Sequence, residues 1–138
     1  MAEVKNKRVL IVDDDTTVLR IIREALQNLL HWEVDTSPLP EYGFELALKK
    51  TYDLMIFDFS MPMIDGTLLF LLITKAYENS SPARRMPPLL LVSGQGSDER
   101  AQELLKEARV GGFLAKPFTI NRLIEKVKQC VPEAESVS

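Results

Sequence analysis

The sequence predicts an α/β protein: a parallel β-sheet with helices on both faces. Three observations carry this. Segments of strand and helix character alternate five times along 138 residues. The best strand candidates, Val9-Leu10-Ile11-Val12, Leu54-Met55-Ile56-Phe57 and Leu89-Leu90-Leu91-Val92, are continuous apolar runs, as strands buried on both faces should be. Each run ends abruptly on a polar residue: Asp13, Asp58 and Ser93. Alternation of this kind leads to a sheet wrapped by its crossover helices, with ligands beyond the carboxyl ends of the strands.

Taken in order, the first strand runs from Arg8 to Val12. Residues 16 to 30 follow, with Val18, Ile21, Ile22, Ala25, Leu26 and Leu29 at helical spacing and Asp15 or Thr16 as N-cap. Trp32 to Thr36 forms the second strand, and Pro38 and Pro40 punctuate a loop. Phe44, Ala47 and Leu48 mark a second helix ending near Lys50. The third strand ends on Asp58, and a loop with Met61-Pro62 and Asp65-Gly66 leads into a third helix, Gly66 to about Glu78. Asn79-Ser80-Ser81-Pro82 breaks it, and Arg84 and Arg85 belong to a solvated loop. The fourth strand, Leu89 to Val92, ends on Ser93-Gly94. Asp98 and Glu99 favour the start of a fourth helix through its dipole, with Ala101, Leu104, Leu105 and Ala108 on its apolar face. Gly111-Gly112 precedes a fifth strand, Phe113 to Ala115, which ends on Lys116-Pro117. The fifth helix carries Ile120, Leu123, Ile124, Val127 and Val131, with Cys130 on its buried face. His31, at a helix end with no site around it, reads as structural.

The totals narrow the function. Hydrophobic content of 46% and charged content of 27% suit one soluble domain with a real core. We divide the chain into an N-terminal tail (1–7), one domain (8–131) and a C-terminal tail or start of a linker (132–138). A net charge of -3 leaves no basic footprint for nucleic acid. A single cysteine and a polar N-terminus without an apolar signal core point to a reducing, cytoplasmic setting, and no apolar stretch is long enough to cross a membrane.

Polar groups from strands one, three, four and five should converge on one sheet edge: Asp13 and Asp14, Asp58, Ser93 and Lys116. Carboxylates about 4 Å apart repel by about 4 kcal/mol per pair at an effective dielectric near 20. Bound protons or a cation must offset this. All-oxygen donors without His or Cys favour Mg²⁺, Mn²⁺ or Ca²⁺ over zinc. A carboxylate can also attack phosphorus and form an acyl phosphate, and phosphoryl transfer needs mainly positioning and charge neutralisation, to which Lys116 and Ser93 contribute.

The ordered set Asp13-Asp14, Asp58 within DFSMPMIDG, Ser93-Gly94 and Lys116-Pro117 resembles the receiver domain of two-component response regulators, from about Arg8 to Val131. The resemblance implies a flavodoxin-like, doubly wound five-stranded sheet in the order 2-1-3-4-5 with five helices; a chemotaxis regulator of this family is itself a standard example of that order. It implies that Asp58 accepts a phosphoryl group from a sensor histidine kinase or histidine phosphotransfer protein. Asp14 would ligate Mg²⁺ (or Mn²⁺) directly, Asp13 through water, and the Ser60 carbonyl would complete the protein ligands. Ser93 and Lys116 would bind the phosphoryl group, Phe113 would be the switch aromatic, and Ser60 and Gln95 would tune acyl-phosphate hydrolysis. A downstream protein, an output domain or a second copy in a homodimer would read the altered surface, so the domain signals and is not an enzyme. Gly94 stands where Ala is commoner, Phe113 where Tyr is commoner, and the stretch from Asn79 to Pro88 is longer than usual. Two other readings compete. An aspartyl-phosphate phosphohydrolase of the haloacid dehalogenase-like class would want a second acid where Ser60 stands. A docking or dimerisation module no longer controlled by phosphorylation would have lost an acid or the lysine, and none is lost.

Overall fold

The computed structural model of the protein describes residues 6–94 and 110–132. Five strands, β1 (Arg8–Val12), β2 (Glu33–Ser37), β3 (Leu54–Asp58), β4 (Leu89–Ser93) and β5 (Val110–Ala115), pair in parallel in the order β2-β1-β3-β4-β5. Four described helices are α1 (Thr16–Leu29), α2 (Pro40–Lys49), α3 (Gly66–Glu78) and the C-terminal α4 (Ile120–Cys130). The helix expected between β4 and β5, with Asp98, Glu99, Ala101, Leu104, Leu105 and Ala108, lies outside the described residues, as does Gln95.

Continuous apolar strands supply both faces of the sheet. Their alternate residues feed separate cores. Val9, Ile11, Ile56, Leu90 and Val92 pack with Ile22 and Leu26 of α1 and Leu123 and Val127 of α4. Leu10, Val12, Met55, Phe57 and Leu91 pack with Ala47 of α2 and Phe70, Ile73 and Tyr77 of α3. β3 and β4 are buried along their whole length. The edge strand β2 carries Glu33, Asp35 and Thr36, a polar edge that discourages pairing with other chains.

Several boundaries differ from the sequence reading. β2 is shifted one residue, to Glu33–Ser37. Pro40 opens α2 instead of interrupting a loop, because its fixed φ and missing N–H suit the first helical position. β5 begins at Val110 and includes both glycines. A Cβ on Gly111 would press on Pro88 and on the Cys130 sulfur, so the smallest residue lets α4 lie close against the strand. Cys130 itself is only partly buried, at the fringe of the core. Arg84 is not a solvated loop residue. Its guanidinium lies 4.0 Å from the Tyr77 ring centroid and donates to the Leu48 and Lys50 carbonyls at 3.0 and 2.8 Å.

Candidate functional site

Each candidate side chain is delivered by the end of a strand. Val12 is in register with Phe57, so Asp13 and Asp58 emerge side by side. Asp58 is level with Val92, and Ser93 with Ala115, which brings Ser93 and Lys116 to the same edge. The strand order reverses between β1 and β3, and Asp13 and Asp58 sit at that switch point, where sheets of this type keep their ligand sites.

Local bonds fix the loops. Asp15 caps α1 by accepting from Thr17 N and Val18 N, while its own N–H donates to Asp13 Oδ1 at 2.9 Å. Asp65 caps α3 through Leu68 N at 2.7 Å. Gly66 N donates to the Phe59 carbonyl, and a Cβ on Gly66 would collide with the Asp58 carbonyl oxygen. The loop after β3 can therefore close tightly over the strand end only with glycine at this position. Lys116 N donates to the Ser93 carbonyl at 2.6 Å, next to a cis Lys116–Pro117 bond.

Lys116 Nζ lies 3.0 Å from Asp13 Oδ2 and 3.3 Å from Asp58 Oδ1. Asp13 and Asp58 are 1% and 5% exposed, whereas Asp14 faces solvent. Burial pushes the Asp58 carboxyl up to about 6; repulsion from Asp13 adds to this and Lys116 opposes it. Burial likewise raises Asp13, against the Asp15 backbone N–H and Lys116. Burial alone would lower the Lys116 ammonium, but its contacts with Asp13 and Asp58 outweigh that and push it up. One lysine thus serves two buried acids, and the site retains excess negative charge.

A divalent cation fits this donor set. Carboxylate oxygens of Asp13, Asp14 and Asp58 lie within 4.8 Å of one another. Asp13 Oδ2 is buried without a well-aligned hydrogen bond, since Lys116 meets it as an ion pair of poor hydrogen-bond geometry. Oxygen donors of this number and charge suit Mg²⁺, which takes one or two carboxylates and keeps waters.

Ser60, expected to contribute its backbone carbonyl, is exposed in the loop after β3, two residues beyond Asp58. Ser93 is buried, and its hydroxyl donates to the Gly94 carbonyl at 3.3 Å. Phe113 is the fourth residue of β5, not the first. It pairs with Leu91, two positions before the Ser93–Ala115 pair, and packs half-buried on the α2–α3 side. Thr67, which drew no attention in the sequence, is buried with its hydroxyl unpartnered. A threonine one residue into a helix carries no local signal of such burial.

Comparisons with known proteins agree with this geometry. The family model described as response regulator receiver domain matches residues 9–128. A probable chemotaxis protein CheY of Rhizobium etli is 29% identical over 116 residues, 84% of this chain and 85% of that protein. Transcriptional regulatory protein PrrA of Mycobacterium tuberculosis is 30% identical over 125 residues, 91% of this chain but 50% of that protein, so the chain spans about half the length of such relatives. The crystal structure of a CheY-like receiver domain protein from Methanospirillum hungatei superposes with a TM-score of 0.80 at 25% identity, covering 97% of this chain and 100% of that one. The matched span runs from the first strand into the C-terminal helix, and the chain belongs to the response regulator receiver domain family of two-component signalling.

Proposed function

We propose that Asp58 is the phospho-acceptor of this receiver domain, within a unit spanning residues 8–131. The observation that carries the reading is a buried carboxylate at the end of β3, touching Lys116 and standing beside Asp13 and Asp14. Lys116 engages Asp58 Oδ1, which leaves Oδ2 to attack phosphorus. With a phosphohistidine donor, the new O–P bond forms as the P–N bond breaks, and its electron pair returns to the imidazole nitrogen. Lys116 and the Ser93 hydroxyl, once turned from the Gly94 carbonyl, then hold the phosphoryl oxygens through charge-assisted hydrogen bonds.

Asp14, Asp58 and the Ser60 carbonyl would hold Mg²⁺ (or Mn²⁺) directly, and Asp13 through water. Bound there, the cation would neutralise the carboxylates and the charge of the transferring group.

Response regulators act with histidine kinases and downstream targets. For this chain the donor is a sensor histidine kinase or histidine phosphotransfer protein. The reader is a downstream protein, an output domain or a second copy. Ser93 and Phe113 lie on the same side of the sheet in adjacent strands, so a Ser93 hydroxyl that turns to the phosphoryl group frees space toward Phe113. The domain acts in signalling and assists only its own phosphoryl transfer and a slow hydrolysis of the acyl phosphate.

The test is intact mass after treatment with a small-molecule phosphodonor and Mg²⁺. The parent gains one phosphoryl group and Asp58→Asn gains none. Full labelling of Asp58→Asn would move the acceptor elsewhere.

A further inference from the structure

Thr67 is the second residue of α3. It is 1% exposed, and its hydroxyl has no hydrogen-bond partner among the described residues. An unpaired buried hydroxyl is costly to the fold and calls for a physical reason. Its direction follows from the helix period. Gly66, Phe70, Ile73 and Tyr77 form the buried stripe over the sheet, while Leu69 and Leu72 border α2 on one flank. Thr67 and Thr74, seven residues apart, share the opposite flank, toward β4. The Thr74 hydroxyl donates to the Phe70 carbonyl at 2.8 Å, one turn back. Thr67 stands in the first turn and has no earlier helical turn to bond.

Carbonyls at the end of β4 alternate in direction. Val92 accepts from Phe59 N at 2.7 Å, on the β3 side, and Ser93 accepts from Lys116 N at 2.6 Å, on the β5 side. The Gly94 carbonyl therefore leans back toward β3 and the start of α3, which Gly66 N ties to the Phe59 carbonyl at 3.0 Å. Its donor among the described residues is the Ser93 hydroxyl, at a long 3.3 Å. We infer that Thr67 is a positioning residue for the phosphorylated state: its hydroxyl donates to the Gly94 carbonyl once the Ser93 hydroxyl turns to the phosphoryl group. The inference rests on Asp58 as the phospho-acceptor. The exchange leaves no group unpaired. Ser93 gives up a carbonyl for a phosphoryl oxygen, and that carbonyl gains a buried donor that had no partner. A valine would fill the same space in the resting fold, so packing alone does not call for a hydroxyl here.

The probe is beryllofluoride with Mg²⁺, a stand-in for the phosphoryl group on Asp58. Thr67→Val should leave the urea midpoint of the resting protein at or above that of the parent, because an unpaired hydroxyl gives way to a methyl of like shape. Its affinity for beryllofluoride should fall about fivefold, the worth of one neutral hydrogen bond. Thr67→Ser keeps the hydroxyl and should keep the affinity, which loss of packing alone would not predict. The Gly94 carbonyl carbon resonance reports on the exchange directly. With beryllofluoride it should keep a hydrogen-bonded shift in the parent and lose it in Thr67→Val. A lower urea midpoint in resting Thr67→Val would mean that the hydroxyl already has a partner, such as a buried water, and would overturn the inference. So would parent-like beryllofluoride affinity in Thr67→Val, or a Gly94 carbonyl shift indifferent to the substitution. A parent that binds no beryllofluoride at Asp58 would overturn the acceptor assignment, and this inference with it. Binding in the parent with no loss in Thr67→Val would overturn this inference alone.

Discussion

At the scale of single residues, Asp58 illustrates a functional group held against its own preference. Its carboxyl is raised from 3.8 to about 6, chiefly by burial and then by Asp13. The folded state therefore binds this proton more tightly than the unfolded state does. Between about pH 4 and 6 the folded form holds more protons, and stability falls as pH rises through that window. Two units correspond to about 3 kcal/mol at neutral pH, an order-of-magnitude figure. Metal-free protein should accordingly resist urea better at pH 5 than at pH 7. Asp58→Asn should raise stability at pH 7 by about 1–3 kcal/mol and remove much of that slope, leaving the part due to Asp13. Urea midpoints with a chelator at both pH values check this. An unchanged slope in the variant would place the titrating group elsewhere. Gly66 makes the opposite case. An added Cβ meets the Asp58 carbonyl oxygen and Phe57 Cβ, neither of which can yield cheaply. Gly66→Ala should cost about 1–3 kcal/mol, as overpacking does, and should slow labelling of Asp58. Full stability and full labelling would show that the loop can relax.

At the scale of elements, the connection from α3 to β4 acts as a strap. Arg84 donates to the Leu48 and Lys50 carbonyls at the carboxyl end of α2, donates to Tyr77 Oη at 3.1 Å and stacks on the Tyr77 ring. Tyr77 Oη in turn donates to the Ala47 carbonyl. Carbonyls at a helix end lack intrahelical partners, and here a side chain from a distant loop supplies them. Arg84→Ala should destabilise the domain by about 2 kcal/mol, summing partly exposed charged hydrogen bonds and a cation–π contact. Arg84→Lys should recover little, because an ammonium cannot fork to two carbonyls and stack at once. Thermal melts measure the loss. Faster amide exchange at Lys50, whose N–H closes the last turn of α2 on Leu46, would locate it. Wild-type exchange there in Arg84→Ala would mean that α2 is held by its apolar face alone.

For the whole molecule, folding and cation binding are linked through the same crowded acids. The fold brings three carboxylates within 4.8 Å, a repulsion absent from the open chain. A cation that binds the folded state adds stability by mass action, about 2.7 kcal/mol at a hundred times its Kd. Mg²⁺ should raise the melting temperature of the parent. Asp14→Asn should lose most of that gain while starting from a higher metal-free stability, since one repulsive partner is gone. A variant that kept the full Mg²⁺ effect would exclude Asp14 as a ligand. None of the described helices is long and apolar enough to cross a membrane, in keeping with the ordinary composition of the chain.

The strands, their polar ends and most helices were legible because those signals are local. Apolar runs such as Leu54 to Phe57 are buried on both faces in the sheet, and each is closed by a polar residue at the sheet edge. The 2-1-3-4-5 order came with the family resemblance, and pairing confirms it. Local pattern misplaced Pro40, which reads as a breaker until the first turn of a helix uses it. It also missed Gly111 and Gly112 as strand residues, because their role is to admit Cys130 across 18 or more positions of sequence. Arg84 looked like any charged loop residue, since its partners lie 34 and 36 residues away. Lys116 was legible as a candidate, but not its sharing between Asp13 and Asp58, which depends on strand register. By itself the sequence determined which segments are buried strands and which chemistry they carry to the sheet edge. Only the tertiary structure decided which charges touch, how far they are desolvated and which apolar faces stay uncovered, because those depend on distances between groups remote in the chain.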